Sequence, residues 1–162
     1  MKGWLKGRIW NPVVELLRQG LSPEGLAWSL AVGLAVGTIP LFGTSTLICI
    51  GLGVGFRLNQ PALQLANYLA YPLQLALLLP FIRLGERLFH APRLPLSLAA
   101  VTAAMQSDFW GGLRWLWTSL WHGSVAWALA VPVPTALLAW ALVPLFRTFQ
   151  ARFRRPGSPD SL

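Results

Sequence analysis

The chain has 162 residues, 55% hydrophobic and 11% charged, with a mean hydropathy of +0.56, where a soluble domain carries about 25% charged residues. That balance points to an integral membrane protein, and the length allows one small helical bundle without a soluble enzyme domain beside it. The net charge of +8 comes from basic residues between apolar segments and at both ends. Anionic lipids of the cytoplasmic leaflet account for that placement, so no nucleic-acid partner is expected.

Residues 1–20 set Trp4 and several aliphatic side chains among Lys6, Arg8, Glu15 and Arg18, the pattern of a short helix lying on the membrane surface. No small-residue cleavage pattern follows, so this end is expected to stay on the protein. Ser22-Pro23-Glu24 then opens the membrane domain, 21–150, with Ser22 as N-cap, Pro23 at the first helical position and Glu24 near the positive end of the dipole. Residues 25–56 contain no Asp, Glu, Lys or Arg. As one helix they would measure roughly 48 Å, against a hydrocarbon core of about 30 Å. Pro40 splits the run into halves slightly short for a crossing, which suits a kinked span or a hairpin that dips in and returns. Gly33 and Gly37 are spaced to let a second helix approach closely.

The second apolar run, 58–82, is interrupted by Pro61, Pro72 and Pro80 and carries Asn59, Gln60, Gln64, Asn67, Tyr68, Tyr71 and Gln74. Amides at membrane depth are costly unless they face a protein interior or a watered cavity, so these side chains are expected to point inward. Arg83 and Glu86 follow three apart, and Glu86 and His90 four apart, close enough on a helix for an ion pair or a proton-bearing cluster. After Pro92 to Pro95, residues 96–110 read as an amphipathic surface segment closed by Gly111-Gly112. Trp110, Trp115, Trp117 and Trp121 surround Arg114, a headgroup-level cluster. They lead into the third charge-free run, 115–146, broken at Pro132-Val133-Pro134. Residues 151–162 form a basic tail expected to be disordered.

If each apolar run crossed once, the basic N- and C-terminal residues would lie on opposite sides, against the positive-inside bias. Proline-tipped hairpins keep every Lys and Arg cytoplasmic. Two true crossings also return the C-terminus to the cytoplasm but place several arginines outside. The fold class is therefore an all-α membrane bundle with proline-broken, re-entrant or hairpin-like segments, multi-pass in the inner membrane with both termini cytoplasmic.

Catalytic chemistry has little support. The single cysteine, Cys49, lies in an apolar segment, and His90 and His122 are too far apart for a local metal pair, so no disulfide, metal or cofactor is expected. There is no His-Glu-x-x-His, no Gly-x-Ser-x-Gly and no pair of acidic residues at useful spacing, so the protein is not expected to be an enzyme.

Ser22-Pro23-Glu24, Gly33, Gly37, Ile39-Pro40-Leu41-Phe42-Gly43, Thr46, Arg57-Leu58-Asn59, Asn67 and Pro72 together resemble a bacterial integral-membrane family, domain of unknown function 2062. The resemblance spans about residues 20 to 150 and implies fold and membrane location more firmly than activity. The family commonly has an Asn-Pro element; here Tyr71 precedes Pro72, with Asn67 nearby. Its domain also occurs fused to glycosyltransferases, which makes an envelope glycosyltransferase a candidate partner.

Two functions follow as expectations. In the first, a transporter or lipid-handling protein, interrupted helices expose backbone groups and a half-helix N-terminus to an anion. Pro40, Gly43, Thr44, Ser45 and Thr46 would form that end. Arg57 and Arg83 would contact a phosphate, Asn67 and Gln74 would orient it, Asn59 and Tyr71 would belong to the same binding site, and Glu86 would carry a coupling proton. The outline is similar to the re-entrant hairpins of DedA-type proteins, associated with polyprenyl-phosphate recycling. In the second, a non-catalytic anchor or assembly module docks envelope-glycan enzymes or forms homo-oligomers through Gly33 and Gly37.

Overall fold

The structure is a computed structural model that describes residues 22–41, 43–92 and 98–153. The expected N-terminal surface helix and the tail beyond 153 lie outside the described residues. Those described are helical, without a strand: α1 Pro23–Val36, α2 Ser45–Gly55, α3 Gln60–Leu69, α4 Tyr71–Leu88, α5 Leu98–Ser107, α6 Phe109–Ala130 and α7 Pro132–Phe153.

Local caps place the helix starts. The Gly25 amide donates to Ser22 Oγ at 3.1 Å, with Pro23 and Glu24 completing the first turn of α1. The Ala62 amide donates to Asn59 Oδ1 at 2.9 Å, with Pro61 in the first turn of α3. Such caps contribute about 0.5–2 kcal/mol each. Gly111-Gly112 does not end the amphipathic segment; the break falls at Asp108, whose Oδ1 accepts from the Gly111 amide at 3.0 Å, and α6 runs on through both glycines. A Cβ at Gly111 would come within 2.8 Å of Asp108 Cγ, so a side chain there would shift the capping carboxylate.

Helix directions follow from their pairings. Ser29 Oγ accepts from the Asn59 amide at 2.8 Å. A Cβ on Gly33 would lie 2.8 Å from Ala66 Cβ, and one on Gly37 would lie 2.7 Å from the Asn67 carbonyl oxygen. Positions 29, 33 and 37 therefore meet progressively later positions of α3, so the two helices are parallel and pressed together along small residues. By contrast, Gln60 Nε2 donates to the Ile50 carbonyl at 3.0 Å and Gln64 Nε2 to that of Thr46 at 3.4 Å, which makes α2 antiparallel to α3. The charge-free run is thus a helix hairpin, turned over Gly37 to Thr44 with Gly43 at φ +82°, a backbone conformation that glycine adopts without a Cβ penalty.

The other two apolar runs bend without reversing. α3 and α4 meet at 64° across Ala70, and α6 and α7 at 45° across Val131. Each break is one residue long and is followed by a proline in the next helix's first turn, enough to kink a rod; the reversal in the first run takes the whole Gly37 to Thr44 turn. α6 returns along α4, where a Cβ on Gly85 would lie 2.7 Å from the Gly123 amide nitrogen and where the Phe89 and His122 rings stack at 4.3 Å. α7 runs back beside α1, and Arg147 Nε donates to Glu24 Oε1 at 3.0 Å. Glu24, Arg57 and Arg147 thereby mark one end of the molecule, and His90 the other.

No single described helix is long and apolar enough to cross a membrane, but the pairs α3–α4 and α6–α7 each pass by length and composition together. Large apolar side chains are exposed while several polar ones are buried among an otherwise apolar core. Trp110 and Trp140 are each 71% exposed, whereas Asn67, Gln74 and Glu86 are only 4%, 3% and 4% exposed. Two small apolar clusters remain inside, Leu26 with Ala27, Ala62 and Phe146, and Val36 with Cys49 and Leu63.

Candidate functional site

The turn after α1 lies where both bent pairs break. Thr38 Oγ1 donates to the Ala35 carbonyl at 2.7 Å and accepts from Trp127 Nε1, in the last turn of α6, at 3.0 Å. Gln74 Nε2, in the first turn of α4, donates to the Ile39 carbonyl at 2.7 Å. Pro40 is fully buried beside them, and Asn67 reaches the same place through the close approach of its backbone to Gly37. Of the residues expected from sequence, Pro40, Asn67 and Gln74 come together here. Thr38 and Trp127 were not among them, although Thr38 is the one polar side chain between Ser29 and Gly43 and so carried a signal of its own.

A second polar feature runs down α3 from this point. Gln60, Gln64 and Asn67 are spaced four and three apart and share one helix face. Gln60 Oε1, Gln64 Oε1 and Asn67 Oδ1 are buried with no hydrogen-bond partner. Each desolvated acceptor costs about 1–3 kcal/mol.

Two clefts open at the ends of the molecule. One, of about 570 Å³, separates α1 from α2: Trp28, Val32, Leu52, Phe56 and Leu58 form apolar walls, with Glu24 and Arg57 as its charged lining. Arg57 is exposed and in the left-handed region at φ +53°. Arg147 holds the Glu24 carboxyl below the usual carboxylate range through its hydrogen bond, so Glu24 stays ionised and paired at neutral pH. The other cleft, of about 610 Å³, lies at the C-terminal end of α4 and is lined by Arg83, Glu86, Arg87, His90 and Ala91. In it Arg83 donates to Glu86 Oε2 at 2.8 Å, the pair expected from the spacing.

The expected single site is therefore divided. Arg57 and Arg83 line different clefts, because the bent α3–α4 rod separates them. Thr44, Ser45 and Thr46 are partly exposed at the start of α2, with Thr44 Oγ1 donating to the Leu41 carbonyl at 3.1 Å. Asn59 uses its side chain as the cap of α3, and Tyr71 is exposed. Among the described residues no three His, Cys, Asp or Glu side chains gather in a metal-binding group.

No curated protein and no solved structure matches the chain. A family profile does match, over residues 9–155, and the chain belongs to that bacterial family, described as an uncharacterized protein conserved in bacteria (DUF2062).

Proposed function

We propose that this is an inner-membrane protein that binds and handles an anionic, phosphate-bearing amphiphile in the cleft between α1 and α2. The observation that carries the reading is the composition of that cleft: five apolar side chains for a hydrocarbon chain, and the exposed Arg57 for a phosphate, the other charged lining residue, Glu24, being paired with Arg147. Arginine suits this role because its planar fork donates to two phosphate oxygens at once. A polyprenyl phosphate and an anionic phospholipid both have the required form.

In this reading the bent pairs α3–α4 and α6–α7 cross the bilayer, and the α1–α2 hairpin enters from one side and returns. The kinks and the buried polar turn support it, since backbone freed by a break at membrane depth needs partners such as Gln74 and Thr38. So does the exposure of Leu and Trp side chains around an interior that buries Asn67, Gln74 and Glu86. Arg57 and Arg147 then lie on one side of the bilayer, opposite Arg83, Arg87 and Arg114. The Arg57 side is taken as cytoplasmic, in keeping with the expectation that both termini, rich in Lys and Arg, are cytoplasmic.

The assembly-module alternative draws on Gly33 and Gly37, and both face α3 of the same chain, which favours the lipid-handling reading. The test is binding and transfer of a fluorescent polyprenyl phosphate or phospholipid by the protein in liposomes. Wild type moves or binds the lipid and Arg57→Ala loses at least about tenfold in affinity, the value of one charge-assisted contact. A folded wild type that binds neither lipid refutes the proposal.

A further inference from the structure

The face of α3 beneath α2 has chemistry that the apolar cleft does not use. Gln60 and Gln64 direct their amide N–H groups to the Ile50 and Thr46 carbonyls of α2, leaving Gln60 Oε1 and Gln64 Oε1 buried and unpaired, together with Oδ1 of Asn67. Asn67 is 4% exposed. Three buried carboxamide oxygens in helical register, none with a partner, form a track of free acceptors, and a buried oxygen in that state is unfavourable until a donor reaches it.

The cover over Gln60 and Gln64 is also a wall of the cleft, and Asn67 continues the track beside Gly37 at the end of α1. Leu52 and Phe56 of α2 face the cleft between α1 and α2, while the other side of α2 lies on Gln60, with Gly53 leaving room for that side chain. Gly43 before α2 and Arg57 after it both have positive φ, and Gly51 and Gly55 meet nothing within 4 Å. A displacement of α2 away from α3 would open the track next to Arg57, which lies three residues before Gln60 in the chain.

We propose that Gln60, Gln64 and Asn67 form a second subsite that accepts hydrogen bonds from hydroxyl or ammonium donors on the head group of the amphiphile whose phosphate sits on Arg57. This rests on the lipid-handling reading and narrows its substrate class to phosphates whose head group carries donors. Arg57 supplies charge recognition, and the track supplies selection among phosphates of equal charge.

The experiment uses the full chain in detergent micelles and lipid pairs with matched acyl chains. Phosphatidylglycerol and phosphatidylmethanol share one negative charge and differ in head-group hydroxyls; phosphatidylethanolamine and phosphatidylcholine differ in ammonium N–H donors. Wild type prefers the donor-bearing member of each pair by about tenfold, the worth of one or two net hydrogen bonds. The volume-conserving Gln64→Met and the larger change Asn67→Leu remove that preference, whereas Arg57→Ala weakens both members of the glycerol pair alike. Thermal unfolding of each variant separates lost selectivity from lost fold. Equal binding of both members by wild type, or a preference that survives both amide substitutions, overturns the subsite while leaving the cleft standing. Failure of wild type to bind any of the four lipids overturns the cleft reading and the subsite with it.

Discussion

Two glycine-to-alanine substitutions with opposite expected signs test the packing that positions the hairpin. In a helix interior alanine is more favourable than glycine by roughly 0.5–1 kcal/mol, because it restricts the unfolded backbone. At Gly51 a Cβ meets nothing within 4 Å, so Gly51→Ala should gain about that amount. At Gly33 the added Cβ would sit 2.8 Å from Ala66 Cβ and 3.0 Å from the Leu63 carbonyl carbon. The obstacle includes backbone, so α1 and α3 must separate, and overpacking of this kind costs about 1–3 kcal/mol. The two variants should differ by about 1.5–4 kcal/mol from the same chemical change. Thermal unfolding in detergent, followed by tryptophan fluorescence, reads this as a higher midpoint for Gly51→Ala and a lower one for Gly33→Ala, at about 2–4 °C per kcal/mol for a chain of this size. Equal shifts of the same sign would refute a close parallel contact between α1 and α3.

Gln74→Leu leaves the buried Ile39 carbonyl without its donor and should cost about 1–3 kcal/mol in the same assay. Trp127→Phe keeps an aromatic side chain but removes the indole N–H that bonds Thr38, together with part of the ring, with an expected loss of at least about 0.5–1.5 kcal/mol; Thr38→Val combined with it should add less than the sum of the two singles, since both act on one contact. The Glu24 carboxyl, held below its ordinary 4.5 by Arg147, contributes stability that is fully present above that value and is lost as pH falls through the folded-state pKa. Wild type should therefore exceed Arg147→Met in stability at neutral pH, and the two should converge below the ordinary carboxylate range. A difference that persists unchanged into acid would contradict the pairing.

Features set by neighbours in sequence were legible from the chain. Ser22 caps α1, Arg83 reaches Glu86 one turn away, and the first run is interrupted at Pro40, because each depends on residues within a few positions, whereas the choice between kink and hairpin there does not. The convergence of Gln74 and Trp127 on one turn was not legible, since it joins residues 35 and 89 positions apart in hydrogen bonds that no local pattern encodes. Proline spacing showed where the second and third runs break, but not whether they bend or reverse. That depends on the length of the break, and one-residue breaks at Ala70 and Val131 gave bends of 64° and 45°. The same bend moved Arg83 into a different cleft from Arg57. Gly111-Gly112 misled because Asp108 caps the next helix just before them, and the cap together with the packing of that long helix outweighs two glycines at about 1 kcal/mol each.

Sidedness tests the account most directly. Single cysteines at Arg57 and His90, each in a Cys49→Ser background, can be probed with a membrane-impermeant thiol reagent in right-side-out and inverted vesicles. Bent pairs that cross the bilayer predict labelling of position 57 from the cytoplasmic face only and of position 90 from the opposite face only. Labelling of both positions from the same face would contradict it.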